Sequence, residues 1–122
     1  MAKQPYSGHF GRQELDEGPK TMEEGGLLKY LDEWGCEVVE SREARLTPEE
    51  DKRYGLRYRL GLANNHLADI VADQIKQDVF PIGLMANCNG LIGMLAGHQR
   101  AGGSWKPLRV GLVWIDAHGD FN

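Results

Sequence analysis

The sequence has 122 residues, of which 41% are hydrophobic and 26% charged, and its formal net charge is −4. These values are typical of one small globular domain and exclude a disordered chain. The acidic balance argues against nucleic acid and anionic membranes as partners, and no apolar run approaches the roughly 18 residues of a membrane helix. Because residues 1–5 lack the apolar segment of a signal peptide, the cytoplasm is the expected compartment, where Cys36 and Cys88 remain thiols.

The first third of the chain predicts a loop, a helix and a strand. Residues 1–20 are rich in Gly, Pro and charge and predict an extended arm. From Met22 the apolar residues recur at helical spacing, and Gly35 stands where a helix commonly ends. The stripe expected to face inward consists of Leu27, Leu28, Leu31 and Trp34. A strand is then predicted over residues 36–40.

A second helix is predicted from Thr47 to about Lys76. Thr47 is a capping residue type, Pro48 occupies the first helical position, and Glu50 lies three residues after the cap. Glycines at 55 and 61 predict a break in the first half of this helix. Its apolar stripe is Leu60, Leu67, Ile70, Val71 and Ile75.

The second half of the chain alternates strands and helices. A strand is predicted over residues 79–84, a polar loop over 85–89 and a helix over Gly90–Ala101. Residues 108–115 are nearly all apolar, as expected for a parallel strand that is covered on both faces. The alternation predicts an α/β fold with parallel strands and right-handed crossovers.

The residues with metal-binding chemistry follow two of these predicted strands, at the edge where parallel sheets bind ligands. Asn87, Cys88 and Asn89 follow the first strand. Asp116, His118 and Asp120 follow the second at a spacing of two, which places three side chains on one side of an extended backbone. Two carboxylates and an imidazole suit manganese or zinc. The alternative interpretation is a polar loop with a solvated histidine.

Three segments resemble the arginase (ureohydrolase) family. The run Gly111-Leu112-Val113-Trp114-Ile115-Asp116-Ala117-His118-Gly119-Asp120-Phe121-Asn122 resembles the family signature, in which a hydrophobic strand leads into Asp-Ala-His-x-Asp-x-Asn. Residues 80–95 are similar to the preceding strand, ligand loop and helix of the family. Glu17-Gly18-Pro19, followed by Gly26-Leu27-Leu28, is similar to its early loop and first helix. The resemblance therefore covers most of residues 17–122.

The resemblance implies a three-layer αβα fold with a mainly parallel sheet, incomplete at this length, in residues 21–122. It also implies a manganese-dependent hydrolase of guanidino compounds such as arginine, N-hydroxyarginine or agmatine, which releases urea or a urea analogue and an amine. Asp116 would bridge two manganese ions, Asp120 would hold one ion and His118 the other. Asn122 would hold the polar end of the substrate.

The loop before the helix departs from the family pattern. It usually reads Gly-Gly-Asp-His, with the histidine as a metal ligand, whereas this chain reads Met85-Ala86-Asn87-Cys88. Cys88 is the expected fourth ligand, although a thiolate is softer than manganese prefers. Some relatives with Asn-Cys at this place act on N-hydroxyarginine. The competing interpretation is a small buried thiol. Surface or packing roles are expected for His9, His66 and His98, and a core position for Cys36.

The family draws its remaining ligands from an Asp-x-Asp-x-x-Asp motif further along the chain. We therefore expect this chain to be an amino-terminal fragment that is inactive alone and that forms a homo-oligomer or binds a complementing carboxyl-terminal half. Two other functions stay open from the sequence. One is a degenerate binding module of the same fold without catalysis, and the other is a metal-dependent deacetylase relative, which the signature fits less well.

Overall fold

The computed structural model describes residues 1–8, 13–102, 111–113 and 115. Three short strands alternate with helices along these residues. In chain order the elements are β1 (Ala2–Gln4), α1 (Gln13–Asp16), α2 (Gly18–Met22), a π-helical turn (Glu23–Leu27), α3 (Leu28–Glu33), β2 (Arg42–Glu43), α4 (Pro48–Asp51), α5 (Leu56–Lys76), β3 (Gly83–Met85) and α6 (Gly90–Ala101). None of the helices in these ranges is long and apolar enough to cross a membrane.

The sheet is parallel, with β1 in the centre and the order β2-β1-β3. Ala2 pairs with Arg42 on one side and with Gly83 on the other. The chain therefore adds β2 on one side of β1 and then crosses over to add β3 on the other. The connection from β1 to β2 and the connection from β2 to β3 run in opposite directions across the sheet. Right-handed crossovers therefore place their helices on opposite faces of the sheet.

Two separate apolar clusters confirm that both faces are covered. On one face, Ala2 packs with Leu67, Ile70 and Val71 of α5. On the other face, the core consists of Met1, Leu31 and Leu84, with Leu27, Val38 and Ile82 packed against it. The predicted three-layer αβα arrangement with parallel strands is confirmed by these two layers of packing around one sheet.

Residues 1–20, predicted as a loop-like arm, contain the central strand and the first helices. The sequence Ala2-Lys3-Gln4 has no β-branched or aromatic residue, so its pattern does not indicate a strand. Pairing on both sides and burial stabilise it instead, since Ala2 is fully buried and Gln4 is 1% exposed. The amide of Gln4 stays hydrogen-bonded in the core, where its Nε2 donates to Asn64 Oδ1 at 3.0 Å.

The predicted helix from Met22 begins four residues earlier, at Gly18, with Pro19 in its first turn. Gly26 has φ +102°, which kinks the helical run between α2 and α3. The helix ends as predicted at Gly35, with φ +77°, where Gly35 N–H donates to the Asp32 carbonyl and Cys36 N–H to the Leu31 carbonyl, a Schellman motif. The predicted inward stripe is wrong in part, since Leu31 is buried but Leu28 and Trp34 are 43% and 80% exposed.

The strand predicted over residues 36–40 is wrong, because strand pairing begins later, at Arg42–Glu43. Arg42 N–H donates to the Met1 carbonyl and Ala44 N–H to the Lys3 carbonyl, so the chain reaches β1 only there. Val39 remains 58% exposed and Ala44 is the residue that becomes buried. The position of β1 therefore sets this strand, and the local run of apolar residues does not.

The predicted helix start at Thr47 and the break near Gly55 are confirmed. Thr47 and Glu50 form a reciprocal capping box at the start of α4, and α5 begins after Gly55 with φ +96°. Thr47 N–H and the His66 ring both hydrogen-bond to the Glu50 carboxylate and hold its pKa below the ordinary value. This carboxylate therefore favours the folded state above its ordinary pKa, and that contribution is lost as the pH falls through the lowered one.

Helices α5 and α6 pack closely because glycines of α6 face α5. A β-carbon on Gly93 would lie 2.9 Å from the Asn64 carbonyl oxygen, and one on Gly97 would lie 2.5 Å from Val71 Cβ. Both distances are shorter than non-bonded atoms tolerate. The predicted helix Gly90–Ala101 is confirmed residue for residue, and the glycines define the face that packs.

The strand predicted over residues 108–115 falls mostly outside the described residues. The four described members of this range, Gly111–Val113 and Ile115, have no strand pairing. Val113 and Ile115 are 85% and 94% exposed, so for these residues the predicted burial on both faces is wrong. A parallel strand is buried only when neighbouring strands and helices cover it.

Candidate functional site

The sheet topology identifies where a ligand would bind. The order in which the chain adds strands to the sheet reverses at β1, because β2 and β3 lie on opposite sides of it. The connection after β1 leads to α1–α3, while β3 leads to α6, which packs against α5 on the other face. In such a sheet a crevice opens outside the carboxyl ends of the two strands whose connections diverge. Residues 5–8 and 86–89 line this edge.

Cys88 lies at this edge, three residues after the end of β3. Ala86 N–H donates to the Gln4 carbonyl at 2.9 Å, which extends the β1–β3 ladder by one residue. The chain then turns, and Leu91 N–H donates to the Cys88 carbonyl at 3.0 Å as α6 begins. The thiol of Cys88 is free and exposed. The alternative of a buried thiol is therefore wrong, and the side chain is open to a ligand.

The Asn87 side chain joins this loop to the loop after β1. Its Nδ2 donates to the Ser7 carbonyl at 2.7 Å, and its Oδ1 accepts from Asn89 N–H at 3.1 Å. Ser7 is only 2% exposed, and its own N–H donates to Asp16 Oδ1 at 2.7 Å. Hydrogen bonds therefore connect three segments of the chain beside Cys88.

The missing glycines of the usual loop do not disturb the backbone here. Met85 is the last residue of β3, and among the described residues only Asp78 has a positive φ without being glycine. Met85 and Ala86 therefore adopt conformations that any residue can adopt. Gly8 on the neighbouring loop does need its glycine, because φ is +73° and a β-carbon would lie 2.7 Å from Leu56 Cδ1.

Of the predicted site residues, the structure describes Cys88. The other three predicted ligands and the predicted substrate residue lie outside the described residues; these are Asp116, His118, Asp120 and Asn122. Within the described part of the chain no group of three or more His, Cys, Asp and Glu side chains could hold a metal ion. The exposed Cys88 thiol at this edge is chemically suited to serve as a metal ligand, although it is a softer donor than imidazole.

The remaining histidines and Cys36 have other surroundings. His66 pairs with Glu50 at 2.9 Å between α5 and α4, which is a packing role as predicted. His98 is half-buried on α6, and His9 lies outside the described residues. Cys36 is exposed and precedes β2, so its predicted core position is wrong.

A cavity of about 670 Å³ with several charged side chains in its lining lies on the other side of β1. It is lined by residues that follow β1 and β2, among them Tyr6 and Arg45, together with Lys3 and Glu23. Lys3 Nζ hydrogen-bonds to Glu23 Oε2 at 2.8 Å, and this bond is the main reason that the pKa of Glu23 lies below its ordinary value. Cys88 does not line this cavity, but Pro5, Tyr6 and Asp16, which lie in or beside the loop after β1, do.

Sequence reasoning missed the hydrogen bonds that support Cys88. Ser7 and Asp16 lie in residues 1–20, for which the sequence predicts an extended arm, and the sequence pattern indicates no partner for Asn87. A partial signal was present, since Ser7-Gly8 and Asn87-Cys88-Asn89 are short polar runs of turn-forming residues. Their convergence depends on β1 and β3 being adjacent, which the sequence pattern did not indicate.

Sequence comparison finds similar proteins among the arginases. The chain is 29% identical to mitochondrial arginase-2 of Homo sapiens over 97% of this chain and 33% of the relative. It is 30% identical to arginase-1 of Sus scrofa over 97% of this chain and 36% of the relative, and 28% identical to the arginase of Bacillus caldovelox over 91% and 38%. The chain thus spans about a third of the length of these relatives. No family model and no solved structure matches it.

Proposed function

Because this chain is similar to arginases over nearly its whole length, we propose that it forms part of a hydrolase that cleaves guanidino compounds. Arginine, N-hydroxyarginine and agmatine are the proposed substrates, and the products are urea or a urea analogue and an amine. The observation that carries the proposal is the place of Cys88. By the family resemblance it falls at the family's histidine position, and in the structure it lies exposed beyond the carboxyl end of β3.

The proposed metal is manganese, and the proposed donors are Cys88, Asp116, His118 and Asp120. When bound, it would make hydroxide available near neutral pH. The carboxylates and the imidazole are donors that manganese prefers, and the thiol is a softer one. The Asn122 side chain has both amide donors and an acceptor, which suits the polar end of the substrate.

The proposal extends to assembly and compartment. A family site has further ligands, so catalysis requires the four proposed donors to be joined by others, from a complementing carboxyl-terminal half or within a homo-oligomer. Both described cysteines are free thiols, which suits a reducing compartment such as the cytoplasm.

Manganese titration of the purified chain and of Asp116→Asn tests the proposal. The carboxamide of Asn keeps the size of the side chain but removes its charge. We expect the chain to bind manganese weakly and Asp116→Asn to weaken binding at least about tenfold, the lower end of what mutations around metal sites cost. The free manganese signal in electron paramagnetic resonance reports the bound fraction.

Asp32→Asn is the matched control, because Asp32 is exposed on α3 and belongs to the other face of the sheet. It should bind manganese as the unmodified chain does. Equal binding by the chain and Asp116→Asn would contradict the proposal and favour a binding module of the same fold without a metal.

A further inference from the structure

The Asn87 side chain makes two hydrogen bonds that fix its amide in one orientation. The Ser7 carbonyl can only accept, so it must face the Nδ2 group, which lies 2.7 Å away. The backbone N–H of Asn89 can only donate, so it must face Oδ1, at 3.1 Å. The site therefore requires one donor and one acceptor at the end of the same short side chain.

A carboxylate at position 87 could satisfy only one of these two partners. It would accept from Asn89 N–H as before, but its second oxygen would face the Ser7 carbonyl without a hydrogen atom between them. The family loop usually has Asp at this place. In this chain the partner is the Ser7 carbonyl, which accepts a hydrogen bond, so the amide donor of Asn87 matches it.

The burial and the hydrogen bond of Ser7 hold its carbonyl in place. Ser7 is 2% exposed, and its N–H donates to Asp16 Oδ1 on α1 at 2.7 Å. Gly8 follows with a positive φ and packs against α5. On the other side of Asn87, Ala86 N–H donates to the Gln4 carbonyl at 2.9 Å.

The backbone of Cys88 is held on its helix side. Its carbonyl accepts from Leu91 N–H at 3.0 Å, while its thiol is exposed. Between Ala86, which the ladder joins to β1, and the start of α6, the side chain of its neighbour Asn87 reaches across to the loop after β1.

We propose that Asn87 is a positioning residue that holds Cys88 at the carboxyl edge of the sheet by donating a hydrogen bond to the Ser7 carbonyl. The inference rests on the function proposed above for Cys88, but the hydrogen bond can be tested without a metal.

Hydrogen exchange of the backbone amides of Asn89, Gly90 and Leu91 measures how often this loop opens. At pH 7, Asn87→Asp should exchange about twofold to tenfold faster than the unmodified chain, the range expected for one lost hydrogen bond. Below about pH 4 the Asp carboxyl becomes neutral and regains an O–H donor, so the ratio of the two rates should return towards one. Rates are compared at the same pH, which cancels the intrinsic dependence of exchange on acid.

Asn87→Ala is the second variant, because it lacks both donor and acceptor at every pH. Its faster exchange should persist at pH 4, where Asn87→Asp recovers. A general loss of packing would give the same effect at both pH values. Equal exchange in the chain and both variants at pH 7, or an Asn87→Asp effect that is unchanged at pH 4, would overturn the inference.

Cadmium alone serves as a probe of the thiol, because thiolate binding to this soft ion gives an ultraviolet absorption band. We expect the band at pH 7 in the unmodified chain, a higher cadmium concentration for half-saturation in Asn87→Asp, and loss of the band that depends on Cys88 in Cys88→Ala. The absence of any Cys88-dependent band, with exchange rates as expected, would contradict the proposed ligand role of Cys88 and leave the hydrogen bond established. Equal cadmium binding by Asn87→Asp and the unmodified chain would overturn the positioning role.

Discussion

Gly97→Val is expected to lower the free energy of unfolding by about 3 kcal/mol, at the upper end of the usual cost of overpacking. A β-carbon at this position would lie 2.5 Å from Val71 Cβ and 2.9 Å from the Ala68 carbonyl oxygen. Rotation of the Val71 side chain would move its Cγ atoms only. Its Cβ and the Ala68 carbonyl oxygen are both fixed to the backbone of α5 and cannot move without the helix. Helices α5 and α6 would therefore have to separate, with loss of their apolar contacts.

Gly61→Ala is the matched control for this prediction. Gly61 is also a helical glycine, on α5, but among the described residues no atom outside its own stretch of helix lies within 4 Å of its β-carbon position. Alanine should raise the stability by about 0.5–1 kcal/mol through its higher helix propensity. Urea unfolding followed by circular dichroism measures both variants. A Gly97→Val midpoint equal to that of the unmodified chain would show that the two helices are not packed at this distance.

Cys88→His is expected to strengthen manganese binding by about tenfold, which corresponds to about 1.4 kcal/mol. Imidazole is a harder donor than thiolate, so the exchange replaces a poorly matched ligand by a preferred one. The same substitution should weaken cadmium binding, because cadmium favours sulfur. Opposite changes for the two ions would not follow from a general change in folding or charge.

Cys36→His controls for the new histidine. Cys36 is an exposed thiol like Cys88, but it lies before β2 and away from the carboxyl edge. Isothermal titration calorimetry with each ion should show affinities unchanged by this variant. If Cys88→His also left both affinities unchanged, Cys88 would not be a ligand.

Local sequence signals predicted the elements whose stability is local. The Thr47 cap, the break at Gly55 and the Gly35 termination each depend on residues within one turn of the helix, and all three are confirmed. The predicted bounds of helix α6 are also confirmed. Each of these rests on hydrogen bonds or backbone angles between near neighbours, which a pattern of residue types can report.

The strands show where such signals fail. β1 has three residues, and its stability comes from pairing with β2 and β3, which lie about 40 and 80 residues away along the chain. β2 begins at Arg42 because the chain meets β1 there, although the apolar residues precede it. These elements depend on contacts distant in sequence, which propensity does not report.

In the candidate site, too, the sequence predicts some features and not others. The sequence pattern singled out residues 87–89 from their place after a predicted strand, and the family resemblance implies that Cys88 is the ligand among them. The structure places Cys88 at the carboxyl edge. The partners of Asn87 could not be predicted, because Ser7 and Asp16 approach it only through the adjacency of β1 and β3. Asp116, His118 and Asp120 remain predictions from their spacing and from the family resemblance, and Asn122 remains a prediction from the resemblance alone.

The most direct test of the proposed metal site is a crystal structure of the chain with manganese, in which anomalous scattering locates the ion. The account predicts a manganese peak at the carboxyl edge beyond β3, bonded to the Cys88 sulfur and to the Asp116 carboxylate. A structure in which the side chains of Cys88 and Asp116 lie on opposite faces of the sheet would contradict it.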